Sequence, residues 1–104
     1  MPVYGKEKMN KSVAALLVNE HKAEDPEIYE AYWAPCGDEI WLVEVSTSIE
    51  DVGEVLPFRF AADLLDVPCP YVVILLSPGD WRRVYAGELE LPSGLVREKL
   101  ERVL

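Results

Sequence analysis

The strongest local pattern in the chain is YVVILLSPGD at positions 71–80, where an apolar run leads directly into a helix start. The first six residues are apolar without alternation, which predicts a strand that is buried on both faces and central in its sheet. Ser77 is the expected cap of the following helix, Pro78 its first residue and Asp80 an acid near its positive end. The predicted buried face of that helix consists of Trp81, Val84 and Tyr85.

A second apolar segment, at residues 40–45, predicts another strand upstream. The Pro-Cys-Gly-Asp sequence at 35–38 has turn chemistry. Residues 28–34 fit two structures, because the preceding Asp-Pro-Glu at 25–27 can start a helix, whereas Ile-Tyr-Glu-Ala-Tyr-Trp is rich in strand formers. Only a few residues precede the next proline, Pro35, so a β-hairpin is favoured over a short helix.

Several further segments have weaker patterns. A helix is predicted over residues 8–23, because an apolar stripe recurs there at helical spacing and the following proline disfavours continuation. That stripe consists of Met9, Val13, Leu16, Leu17 and, in the last turn, Glu20. Residues 55–60 are predicted to be extended, residues 61–66 to form one helical turn, and residues 93–104 to form the last helix.

Together these segments predict a single α+β domain over residues 1–104. Its sheet is expected to be small and mostly antiparallel, with three or four strands, one N-terminal helix and two C-terminal helices. The core is expected to centre on Val72, Ile74, Leu75, Leu16, Leu42, Trp81 and Leu100.

The charge of the chain is concentrated in one region. Residues 23–58 hold ten acidic residues and no lysine or arginine, and they account for the whole net charge of -9. Such a charge disfavours binding to nucleic acids and to anionic membrane surfaces. No apolar run is long enough for a membrane span, and residues 1–8 lack a secretory signal pattern, so the expected location is the cytoplasm.

Aromatic residues are interleaved with these acids, and this combination predicts a binding surface. The candidate residues are Tyr29, Glu30, Tyr32, Trp33, Asp38, Glu39, Trp41 and Arg59. Aromatic residues are common at interface hot spots, and complementary charge speeds association with a basic partner. The preferred interpretation is therefore a non-enzymatic protein–protein interaction module, for example an antitoxin-like or regulatory protein, with a basic protein or a second copy as its partner.

A rival interpretation is a small enzyme or ligand-binding protein with a pocket near Arg59, Glu44 and Cys36. No catalytic set, metal site or cofactor motif is evident to support it, and Cys36 and Cys69 are expected to be free thiols. The only histidine, His21, lies among acids at helical spacing, and it is interpreted as part of a solvated helix end.

Overall fold

The computed structural model describes residues 11–64 and 67–104 of the chain. In chain order the elements are α1 (Lys11–Glu24), β1 (Ile28–Cys36), β2 (Glu39–Ser46), β3 (Pro57–Leu64), β4 (Val67–Leu76), α2 (Pro78–Tyr85), a 3-10 turn (Arg97–Lys99) and β5 (Glu101–Arg102). This is an α+β arrangement, as predicted. The strand alternative for residues 28–34 is confirmed, and so is the cap of α2, where the Ser77 hydroxyl accepts a hydrogen bond from the Asp80 amide at 3.0 Å.

The prediction of a mostly antiparallel sheet with three or four strands is wrong. The described residues form a mixed sheet of five strands in the order β3-β4-β2-β1-β5. The β1–β2 and β3–β4 pairs are antiparallel, whereas β2 and β4 run parallel. Because the residues of β4 are apolar on both faces, this strand takes an interior position between β2 and β3 and leaves β3 at the edge.

The predicted C-terminal helix at 93–104 is also wrong. A short 3-10 turn occurs there, and β5 then pairs antiparallel with β1. The physical reason is the free edge of β1: the Ala31 carbonyl accepts the Val103 amide at 2.9 Å, and the Trp33 indole donates to Glu101 at 2.9 Å. These hydrogen bonds outweigh the helical periodicity of the segment. The helical turn predicted at 61–66 is wrong for its described residues, because β3 extends to residue 64.

The two faces of the sheet are covered by different elements. Helix α1 packs on one face, here called the α1 face, against Ala31, Trp33, Ile40, Leu42, Tyr71 and Val73. Helix α2 and the chain after it cover the opposite face, here called the α2 face, which includes Trp41, Val43, Val45, Val72, Ile74 and Leu76. Strand alternation therefore sends the even-numbered residues of β2 to the α1 face and the odd-numbered ones to the α2 face.

The predicted core is only partly correct. Residues 72, 74, 42 and 81 are buried, but Leu75 and Leu100 are half-buried and Leu16 is 54% exposed. The buried stripe of α1 consists instead of Val13, Ala14, Leu17 and Val18. This stripe turns Leu16 outward, and Tyr85 of α2 is likewise exposed, contrary to the prediction. Residue 9 and the predicted helix start at residue 8 lie outside the described residues.

Candidate functional site

A buried ion pair lies on the α1 face. Glu44 follows Ile40 and Leu42 on the inward-facing side of β2, and only 2% of its side chain is exposed. Its carboxylate accepts a hydrogen bond from Nδ1 of His21, which is in the last turn of α1. A buried carboxylate requires such a partner, because desolvation of an isolated charge is strongly unfavourable. The pair therefore joins the end of α1 to the sheet.

Tyr71 of β4 extends this pair into a three-residue cluster. Its hydroxyl lies 3.3 Å from Nε2 of His21. The hydrogen bond to Glu44 raises the pKa of His21; burial opposes the shift, and the charges of Glu44, Glu24 and Glu20 add to it. Protonated His21 can donate from both ring nitrogens, so Nε2 then donates to the Tyr71 hydroxyl. Burial and the nearby Glu44 charge raise the pKa of Tyr71, which keeps the phenol neutral.

An open groove lies beside this cluster, and it is called here the α1-face groove. Its volume is about 460 Å³. Its polar and aromatic lining consists of His21, Glu24, Asp25, Glu44, Phe60 and Tyr71. The ring of Phe60 stacks on that of Tyr71 with 5.5 Å between centroids and 24° between planes. The groove thus combines an aromatic stack with several carboxylates.

Asp25 is held in a fixed position at the end of α1. Its Oδ2 accepts hydrogen bonds from the Ser46 hydroxyl at 2.8 Å and the Ser48 hydroxyl at 2.7 Å. The bonds from Ser48 and Ser46 lower the pKa of Asp25 despite some opposing desolvation. This carboxylate is therefore charged at neutral pH, and it connects the end of α1 to the end of β2.

Strand β3 borders the groove and forms an edge of the sheet. In the described part of the chain it pairs only with β4. Phe58 and Phe60 alternate onto the α1 face, where they are 51% and 50% exposed. Arg59 points to the other face and forms an ion pair with Glu39. Two large, half-exposed apolar side chains thus lie on a strand whose outer edge is unpaired among the described residues.

The residues predicted to form an acidic and aromatic surface are divided between several environments. Trp33 is buried on the α1 face and Trp41 on the α2 face. Tyr32 packs on Trp81 with 5.1 Å between ring centroids, and its hydroxyl donates to Glu30. Strand alternation makes this division, because neighbouring residues of β1 point to opposite sides.

The other residues of that predicted surface are more accessible. Tyr29 is exposed, Asp38 lies in the exposed β1–β2 turn, and Glu39 is engaged by Arg59. The binding role of these accessible residues stays a prediction.

The residues of the rival pocket are not brought together. Glu44 lies on the α1 face, whereas Arg59 lies on the opposite side of β3 from Phe60. Cys36 belongs to the α2 face, where its thiol lies 3.9 Å from the Ser93 carbonyl. Both cysteines are free, and Cys69 packs on the α1 face, so the sheet separates the two thiols.

A second polar cluster secures the loop before β3. The buried carboxylate of Asp80 accepts hydrogen bonds from the amides of Val52 at 2.8 Å and Gly53 at 3.2 Å, and it pairs with Arg83. Burial alone would raise the pKa of Asp80, but the two amides and Arg83 lower it. Both carboxylate oxygens of Asp80 accept hydrogen bonds from this loop or from α2. The cluster is therefore explained by its structural role, which is to hold the loop against α2.

Sequence reasoning missed the cluster of His21, Glu44 and Tyr71 as a unit. A signal was present, because Glu44 lies on the same face of β2 as Ile40 and Leu42, and every residue of this strand from 40 to 46 is buried. A carboxylate at a buried position needs a cationic or hydrogen-bonding partner, and the chain has one histidine. Which residue would meet it depended on where α1 crosses the sheet, which no local pattern specifies.

Comparison with protein-family models, curated proteins and solved structures gives no match to this chain. Within residues 11–64 and 67–104, no group of histidine, cysteine, aspartate and glutamate side chains is arranged to hold a metal ion. The helices in the same ranges are too short or too polar to cross a bilayer. The site must therefore be interpreted from its own geometry.

Proposed function

We propose that this chain is a protein-binding module whose partner docks on the edge strand β3 and the adjoining α1-face groove. The observation that carries the proposal is the exposure of Phe58 and Phe60 on one face of β3, whose outer edge has no partner strand among residues 11–64 and 67–104. Exposed edges are normally protected in monomeric proteins, and extended partner segments bind to them through backbone hydrogen bonds. The two rings would supply the apolar contact area of such an interface.

The charge of the surface supports a basic protein as the partner. The chain carries a net charge of -9, and Glu24 and Asp25 line the groove next to Phe60. Complementary charge accelerates association and suppresses pairing with like-charged partners, including a second copy of this chain. The same charge repels nucleic acid phosphates. A small acidic protein that neutralises a basic one, as an antitoxin does, is one concrete form, and the cytoplasm is the proposed compartment.

Affinity capture from a lysate of the source organism tests this proposal. The bait is the full chain, compared with a Phe58→Ser/Phe60→Ser variant and with a Val52→Ser/Val96→Ser control. The control removes two exposed apolar side chains that lie on the α2 side of the molecule. We expect a basic protein that the parent and the control retain and that the Phe58/Phe60 variant loses.

Two results would contradict the proposal. One is a set of captured proteins that is the same for all three baits or indistinguishable from empty beads. The other is a stable dimer of the parent in sedimentation velocity that the Phe58→Ser/Phe60→Ser substitutions convert to a monomer. That second result would place another copy of the chain on β3 instead of a basic protein.

A further inference from the structure

We propose that the α1-face groove receives an arginine side chain of the protein partner. This inference rests on the proposed docking at β3, because the groove opens next to Phe60 on that strand. It adds a specific recognition element to an otherwise apolar contact. The argument depends on the charge balance in the groove, on its aromatic wall and on the chemistry of the guanidinium group.

The charges that line the groove favour a cation. Protonated His21 and Glu44 neutralise each other, whereas Asp25 and Glu24 add two negative charges. The carboxylate of Glu24 makes no hydrogen bond or ion pair with the described residues, so it is available to a ligand. The positive charge of Lys22 acts on Asp25 and offsets one of these charges, but its ammonium group donates to the Pro26 and Ile28 carbonyls and forms no ion pair with Glu24, so the groove keeps a net negative charge.

The aromatic wall favours a cation with a flat, weakly hydrated head. Phe60 stacks on Tyr71, yet half of its side chain is exposed, so part of its ring is open to a ligand. A cation held over an aromatic ring is attracted by the negative face of the ring. A guanidinium group can stack on Phe60 and at the same time donate a forked pair of hydrogen bonds to the Glu24 carboxylate.

These features select arginine over lysine. The ammonium group of lysine is a compact, strongly hydrated charge that does not stack in a plane and does not form the forked pair. The apolar stem of either side chain would contact Tyr71 and Phe60. Arginine should therefore bind more tightly than lysine, and an uncharged analogue of arginine should not bind.

The test is an NMR titration of the isotopically labelled full chain with N-acetyl-arginine methylamide. We expect saturable shifts of the Phe60 and Tyr71 ring resonances with a Kd in the millimolar range. The corresponding citrulline amide, which is nearly identical in shape but uncharged, should produce no saturable shift. The lysine amide should bind several-fold more weakly than the arginine amide.

Variants locate the binding site. Glu24→Gln and Phe60→Leu should each weaken binding of the arginine amide about fivefold or more. The control Glu88→Gln, which changes an exposed acid outside the groove, should leave the Kd unchanged. The amide spectrum of each variant checks that the fold is retained. If one of the two groove variants fails to fold, the other still tests the inference.

Several outcomes would overturn the inference. They are equal shifts with the citrulline amide, shifts that do not saturate, or a Kd that Glu24→Gln leaves unchanged. Tighter binding of free spermidine than of the arginine amide would make the groove a site for a small polyamine instead of a protein side chain.

The two proposals can fail separately. Phe58 does not line the groove, so Phe58→Ser should abolish partner capture without changing the Kd for the arginine amide. Loss of capture in that variant without arginine binding to the parent would refute only the groove inference. Arginine binding with capture that Phe58→Ser and Phe60→Ser leave intact would refute only the docking on β3.

Discussion

The two faces of the sheet are covered by different kinds of contact. The α2 face is covered by apolar contacts, in which Trp81 and Val84 of α2 pack over residues of β2 and β4. The α1 face has an ion pair, His21 with Glu44, inside its contact area, and it leaves Phe58 and Phe60 exposed at the β3 edge. Helix α1 packs mainly over β1 and β2, so the β3 side of this face is open.

This difference makes the α1 face the better candidate for a functional site. A buried ion pair rarely stabilises a fold more than apolar residues of similar size would, and exposed aromatic side chains contribute little to stability. Both features on the α1 face therefore depart from what stability alone favours, and such departures concentrate at functional sites. The polar cluster of Asp80 on the other side has a structural explanation, because it holds the loop at residues 52–53.

The largest effect is expected at the centre of the α2 face. Ile74 is fully buried in β4, so Ile74→Ala should lower the free energy of unfolding by about 2–5 kcal/mol. Phe58→Ala, at the open edge of the α1 face, should change it by less than about 0.5 kcal/mol. Urea unfolding followed by tryptophan fluorescence measures both. Similar losses in the two variants would show that the faces do not differ as described.

A smaller loss is expected when the ion pair of the α1 face is broken. His21→Leu leaves the Glu44 carboxylate buried without its partner, and we expect a loss of about 2 kcal/mol, because water in the groove relieves part of the penalty. The double substitution His21→Leu/Glu44→Leu should recover most of that loss. A double-mutant cycle from urea unfolding gives the coupling, and a double variant less stable than the single one would mean that the pair itself stabilises the face.

The loop contact on the α2 side should contribute about 1 kcal/mol. Asp80→Asn retains the shape of the side chain but removes the charge that pairs with Arg83 and accepts from the Val52 and Gly53 amides. Faster hydrogen exchange at these two amides should accompany the loss. Unchanged exchange would show that Asp80 does not hold the loop.

The smallest effect is expected in the pH dependence of the unfolding free energy, to which the two faces should contribute differently. The pKa of His21 is raised in the folded protein, so folding favours its protonated form. The stability from this group is fully present below about pH 6.5, the unfolded value, and is lost as pH rises through the raised folded pKa. Unfolding free energies at a series of pH values should decline across that range. His21→Gln should flatten the decline, whereas Asp80→Asn should not.

The correct sequence predictions all rest on contacts between near neighbours in the chain. The unbroken apolar run of β4, the hairpin of β1 and β2 and the hydroxyl cap of α2 each involve residues fewer than 20 positions apart. The error at Leu16 was of a different kind. Helical periodicity identified α1 and its buried Val13 and Leu17, but it allowed more than one apolar stripe through them. The sheet surface selected the stripe that adds Ala14 and Val18 and leaves Leu16 exposed.

The sequence alone therefore determined the types of α1, α2, β1, β2 and β4, the interior place of β4 and the acidity of the surface. The tertiary structure decided the parallel pairing of β2 with β4, the conversion of residues 101–102 into a strand and the meeting of His21 with Glu44 and Tyr71. Each of these joins residues more than 20 positions apart, where the stabilising contact exists only after the chain has folded. Local propensity and periodicity carry no information about such contacts, because they depend on which edges and faces the rest of the chain leaves open.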